Sequence, residues 1–269
     1  AMDIKIQNDS ASAVCQTFGA ELLSYQTKDG KEYMWQKDPA YWAKTSPVLF
    51  PYIGPVLSPV QIHGKAYDMP RHGFVKDAEF EIAAQGEDFV TLKTESNPKT
   101  LAVYPYEFTF TVTFRLNGAA LDVIYGVVNR SGEELPFLVG GHPAFFCPME
   151  QGEKFTEYLL HFEDNDKEDV ALNYPLFDND AILFEDFKVR TVKLIHQETK
   201  RGIQFDFPDY PSIAFWTPIG KEAPFLCLEP WCSGTLDQAP NTNLLEKKYA
   251  QTLSAGESKD YRFTVAPCK

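Results

Sequence analysis

Residues 107–128 read EFTFTVTFRLNGAALDVIYGVV, and their alternation decides the fold class. Phe108, Phe110, Val112, Phe114 and Leu116 fall on one side of an extended chain. Thr109, Thr111, Thr113 and Arg115 fall on the other. A strict period of two marks a strand with one buried face. Asn117-Gly118 follows, a dipeptide suited to a two-residue hairpin turn. Leu121, Val123, Tyr125 and Val127 then resume the alternation. The segment predicts a β-hairpin.

Working outward, shorter strand patterns are predicted at 3–7, 20–26, 79–84, 88–95, 158–163, 191–197, 202–207, 212–217, 225–229 and 260–266. Turn markers such as Lys28-Asp29-Gly30, Ser131-Gly132 and Ala255-Gly256 separate them. Only 38–43 and 98–104 suggest helix, each short. Many strands with few helices predict a mainly β protein built as a large antiparallel β-sandwich. The 269 residues carry no evident linker or repeat, so 1–269 is expected to form a single domain. The acidic stretch 163–169 is expected to be an exposed loop.

Composition narrows the function. A net charge of −13 opposes binding to phosphate backbones and to anionic membrane surfaces, so neither nucleic acid nor membrane is expected as a partner. Five cysteines without a C-x-x-C pair argue against a disulfide framework or a zinc knuckle. The first residues lack the charged-then-apolar pattern of a secretory signal, and the expected location is cytoplasmic.

Three segments carry candidate chemistry. In Pro224-Phe225-Leu226-Cys227-Leu228-Glu229-Pro230-Trp231 one carboxylate sits within an apolar run. Burying it demands a partner or a task. Pro230 holds Glu229 in an extended backbone, and strand alternation turns Glu229 away from Leu228. A structural carboxylate bound to backbone amides or to an arginine is the competing reading. In Gly140-Gly141-His142-Pro143-Ala144-Phe145-Phe146, a histidine stands among rigid neighbours and could give a proton near working pH. It could equally be a loop histidine bonded to a carbonyl. The third segment is Arg71-His72-Gly73-Phe74, whose plain alternative is a surface turn. His63, His161 and His196 read as turn or structural residues. No H-x-H, H-x-x-x-H or H-E-x-x-H spacing occurs, so no metal is expected.

The succession His72-Gly73-Phe74, then Gly140 to Phe145 as Gly-x-His-Pro-x-Phe, then Glu229-Pro230-Trp231, resembles the aldose 1-epimerase (galactose mutarotase) superfamily, in its LacX-like branch. The likeness includes Ser46 to Gly54 and the Asn179-Asp180 pair, and runs from about Asp3 to Pro267. It implies the galactose mutarotase-like supersandwich with a curved sugar cleft. It implies an isomerase that interconverts the α and β anomers of a hexose, with no cofactor. Carried over by position, Glu229 is the base and His142 the acid. His72 and Arg71 hold the sugar, and Asp180, rather than Asp206, supplies a hydroxyl-binding carboxylate. Phe74, Phe145 and Trp231 could stack on the apolar face of a pyranose. Relatives acting on hexose 6-phosphates carry arginine where this chain has Lys76 and near where it has Lys44. Lysine lacks the bidentate fork, so a free hexose is favoured over a hexose phosphate, with a monomer or homodimer expected. The rivals are a non-catalytic carbohydrate-binding sandwich and a glycoside hydrolase, which needs two placed carboxylates.

Overall fold

The computed structural model describes residues 1–56, 59–234 and 243–269. Its centre is the predicted hairpin. Phe108–Asn117 pairs with Ala120–Asn129. The turn lies one residue later than the Asn-Gly signal, because Gly118 at φ +58° takes the first turn position and Asn117 stays in the ladder. The register sets Leu121 against Leu116, Val123 against Phe114, Tyr125 against Val112 and Val127 against Phe110. One face is therefore apolar along its whole length, and a slip of one residue would turn that face to water.

The hairpin lies within a nine-stranded sheet. From one edge its strands are Glu81–Gln85, Phe89–Glu95, Phe108–Asn117, Ala120–Asn129, Ser258–Cys268, Gly202–Asp206, Thr191–His196, Tyr158–Phe162 and Val170–Ala171. A second sheet joins Ile182–Glu185, Ser212–Trp216, Phe225–Trp231, Gly140–Gly141 and Val48–Leu49 in that order, and Ala144–Phe146 also pairs with Phe225–Trp231. A three-stranded sheet formed by Asp3–Gln7, Ala11–Gln16 and Leu22–Thr27 stands beside them. Pairings between these strands are antiparallel.

The two large sheets meet face to face through aromatic rings, as in a sandwich. Phe145 of the smaller sheet lies 6.1 Å from Phe205 of the larger, and Phe215 lies 6.1 Å from Phe162. Phe50 inserts beside Phe110 at 4.6 Å. Leu226, Leu228 and Ile213 join Val112, Tyr125 and Phe263 in one buried cluster. A large antiparallel β-sandwich with little helix is thus what the chain forms.

Two local expectations differ. Segment 38–43 forms a single turn rather than a helix, with Tyr41 and Trp42 N–H both donating to Asp38 O. The Asp38 carboxylate also accepts from Ala40 N–H, a side-chain competition that favours turns over helix. Within the acidic loop, Asp164 is buried, because it accepts backbone N–H bonds from Asp166, Lys188 and Val189. The other short helix is present as Pro98–Val103, capped by Asn97 and Thr100. Among the described residues no helix is long and apolar enough to cross a membrane.

Candidate active site

Phe225–Trp231 is buried along its whole length. Leu226 and Leu228 enter the core between the sheets. Phe225 and Cys227 face the other way, against Trp35, Trp42 and Trp216. Glu229 follows Cys227 by two residues and so shares its face. This is the alternation expected from the sequence, with the carboxylate turned away from the main core.

A proline inside a paired strand removes a ladder donor, and here the donors on either side of it stay bonded. Leu228 N–H donates to Pro143 O at 3.0 Å, and Cys232 N–H donates to Val139 O at 2.8 Å. Pro230 lies between these two donors. Opposite it the neighbouring chain breaks its pairing, from Gly140–Gly141 to Ala144–Phe146. The break carries His142. Its flanking Gly141 leaves no room for a side chain, since a Cβ would meet the Phe263 ring at 2.9 Å and the Tyr125 hydroxyl at 3.0 Å. Two irregularities in facing strands therefore cancel and set imidazole beside carboxylate.

His142 Nε2 lies 3.2 Å from Glu229 Oε1. The imidazole stacks on Trp42 at 5.2 Å, with the edges of Trp216 at 5.6 Å and His72 at 5.8 Å around it. Only 7% of His142 and 2% of Glu229 reach solvent. Burial pushes the Glu229 carboxyl well above its usual range, and the Asp180 charge adds to this. The Trp231 indole N–H lies near enough to pull it back slightly. That N–H is buried without reaching hydrogen-bond geometry to any described group. Burial also lowers His142, to about 3, with neighbouring His72 next in effect. Dry surroundings penalise a separate charge on either partner, which favours a proton shared across the 3.2 Å contact.

His72 adopts a left-handed backbone at φ +61°. Its N–H donates to Gly54 O at 3.2 Å, and its Nδ1 accepts from Gly54 N–H at 2.9 Å. An accepting Nδ1 assigns the proton to Nε2. Burial, then the charges of Arg71 and Lys76, lowers this histidine to about 4. It is a neutral donor. Gly73, at φ +77°, approaches Phe50 so closely that a Cβ would lie 2.1 Å from Phe50 O. Gly73→Ala is expected to destabilise the protein by at least about 2 kcal/mol, from the left-handed backbone and the clash together. An unfolding midpoint equal to that of wild type would refute this.

These groups line a cavity of about 320 Å³. His142 and Glu229 form its floor, with Trp42, Trp216 and Trp231 as walls. Arg71, His72, Lys76, Lys44 and Asp180 are also on it. Lys76 Nζ reaches Asp77 at 2.6 Å and Gly73 O at 3.2 Å. Asp180, exposed and at φ +85°, accepts from Ala181 N–H at 2.9 Å. Asp206 is elsewhere, accepting from Thr191 Oγ1 at 2.7 Å.

Seven of the residues singled out for the site therefore meet at one cavity: Glu229, His142, His72, Arg71, Asp180, Trp231 and Lys76. Phe74 does not. Its ring turns into the core, 6.0 Å from Phe108 and 6.1 Å from Tyr104. Phe145 is likewise buried within the core. Besides Trp231, the aromatic rings on the cavity are Trp42 and Trp216, which no sequence pattern marked. His161 pairs on the surface with Asp169 at 2.7 Å, and His196 is buried near Glu153.

A sequence model of the aldose 1-epimerase family matches residues 2–261. The LacX protein encoded on the chromosome of Lactococcus lactis subsp. lactis is 33% identical, over 92% of this chain and 93% of its own. A galactose mutarotase related enzyme from Lactobacillus acidophilus superposes with a TM-score of 0.91 at 28% identity, over 100% of this chain and 98% of its own. A galactose mutarotase-like protein from Lactobacillus casei ATCC 334 superposes equally, at 0.91 and 29% identity, over 99% of this chain and 100% of its own. With that match over nearly its whole length, the chain belongs to the aldose 1-epimerase family.

Proposed function

We propose that the protein is an aldose 1-epimerase that interconverts the anomers of a hexose by proton transfer alone. The observation that carries this reading is the 3.2 Å contact between His142 Nε2 and Glu229 Oε1 at the floor of the cavity. The anomeric hydroxyl and the ring oxygen are bonded to the same carbon. Their base and acid must therefore be neighbours, and these two are. A sugar-binding module has no need of such a pair, whereas groups on separate walls would have favoured one.

Glu229 takes the proton of the anomeric hydroxyl while His142 gives one to the ring oxygen. The bond from C1 to the ring oxygen breaks, and the aldehyde forms. Rotation about C1–C2 presents the other face of the carbonyl. The ring oxygen returns its proton to His142 as it attacks, and Glu229 protonates the new anomeric hydroxyl. The pair begins and ends each turnover with one proton. His72, neutral and with Nε2–H free to donate, steadies the ring oxygen. Asp180 and Arg71 take hydroxyls at the rim, and Trp42, Trp216 and Trp231 cover apolar C–H faces. A cytoplasmic setting suits the five unpaired thiols.

A second substrate reading has its own observation. In a chain of net charge −13, Lys44, Arg71 and Lys76 all line this one cavity. A phosphate on the hexose would find attraction there. Exchange between anomer signals, followed by NMR with free hexoses and with their 6-phosphates, tests both readings. Accelerated exchange of at least one such sugar is the expected result. No acceleration with any of them would sink the epimerase assignment. A preference for free sugars at low ionic strength would remove the phosphate reading.

A further inference from the structure

One buried nucleophile has no part in the proton transfers above. Cys227 is two residues before Glu229 on the same strand face, fully buried beneath the catalytic pair. One donor atom each from His142, Cys227 and Glu229 lies within 4.8 Å of the other two. We propose that these three side chains form a binding site for a thiophilic divalent cation, of which Zn²⁺ is the type, and that its occupation switches the acid–base pair off.

The donor set has the composition of a zinc site with three protein ligands: one thiolate, one imidazole and one carboxylate, with a fourth position left open. Zinc bonds of about 2.0–2.3 Å, with one sulfur in the set, place tetrahedral ligand atoms roughly 3.3–3.6 Å apart. The imidazole and carboxylate are already 3.2 Å apart, and with all three atoms within 4.8 Å the most distant pair has to close by at most about 1.2 Å. Charge balance favours the occupied state. A thiolate, a carboxylate and a neutral imidazole around a divalent cation sum to zero, which suits a buried site. The cation displaces the protons of Cys227 and Glu229 to solvent, so its affinity rises with pH. Entry is through the cavity, on which His142 and Glu229 lie. The open position faces that space, where a water or a sugar hydroxyl completes the shell. The nitrogen and oxygen that bind the ion are the ones that move protons, so the ion inhibits.

Co²⁺ titration of the intact protein reads the site without reference to activity, through the thiolate-to-metal charge-transfer absorption. One Co²⁺ per chain, with that band present in wild type and absent in Cys227→Ser, is expected. Zn²⁺ should then inhibit anomer exchange reversibly, with relief by a chelator. Changing a residue that merely supports a metal ligand costs about 10–100-fold in affinity, so loss of the thiolate should weaken Zn²⁺ inhibition at least about 100-fold. The metal-free exchange rate of the variant should stay near that of wild type. Cys227→Ala carries the same expectation should serine disturb the pocket. Absence of the thiolate band in wild type, its persistence in the variants, or equal Zn²⁺ inhibition of both would overturn the proposal. Because the cobalt band needs no sugar, it separates failure of this site from failure of the epimerase reading.

Discussion

Replacing Glu229 by glutamine stops anomer interconversion and leaves sugar binding nearly intact. The amide has the shape of the carboxyl and no usable proton affinity. It can still donate to His142 Nε2 across the 3.2 Å contact, so the imidazole keeps its place. A neutral side chain also relieves the buried acid, whose ionisation its surroundings oppose. The variant should therefore fold at least as well as the parent. The expected rate loss is about 10²–10⁴-fold, or roughly 3–5 kcal/mol of transition-state stabilisation. Exchange spectroscopy between the anomeric signals measures the rate, and broadening of the sugar resonances reports binding. A variant that turns over like wild type removes Glu229 from the role of base.

His142→Ala should be nearly as damaging to the rate, again about 10²–10⁴-fold, but with a second consequence. The imidazole packs against both Trp42 and Trp216, which also touch each other. Its removal leaves a void and strips Glu229 of its partner, so a loss of about 1–3 kcal/mol in unfolding free energy accompanies the rate effect. The wild-type pH profile supplies an independent check. The active pair holds one proton. Burial lowers His142 to about 3, so the second proton binds only in strong acid. Burial raises Glu229, so the single proton is retained well above the ordinary carboxylate range. Activity should rise through strongly acidic pH, stay level across neutrality and fall on the alkaline side. A wild-type acid limb centred near pH 6.5, the value of an exposed histidine, would contradict the shared-proton state.

The sequence carried much of this, and the omissions have physical causes. The 107–128 hairpin was legible because alternation and turn chemistry agree over two adjoining strands. Glu229 and His142 were legible because a carboxylate in an apolar strand and a histidine between glycine and proline both violate local rules, and such violations gather at functional sites. Their proximity was not legible. It depends on a break in one strand facing a proline in the next, and no sequence spacing encodes that register. Phe74 misled because it adjoins His72. Gly73 takes a left-handed backbone between them, and the phenyl ring ends in the core while the imidazole faces the cavity. Trp42 and Trp216 escaped notice because one lies in an isolated turn and the other in a strand buried among apolar residues. Neither has a periodicity that distinguishes a cavity wall from core.

Floor and rim of the cavity are built differently. Glu229 belongs to a strand with neighbours on both sides, and His142 is clamped where two of those neighbours meet. Lys44, Arg71 and Asp180 stand on connecting segments outside any strand. Exchanges at those three positions disturb little of the backbone scaffold. On the proposed reading, a lineage would retarget this protein from one sugar to another, or from neutral to anionic ones, while inheriting the reaction unchanged.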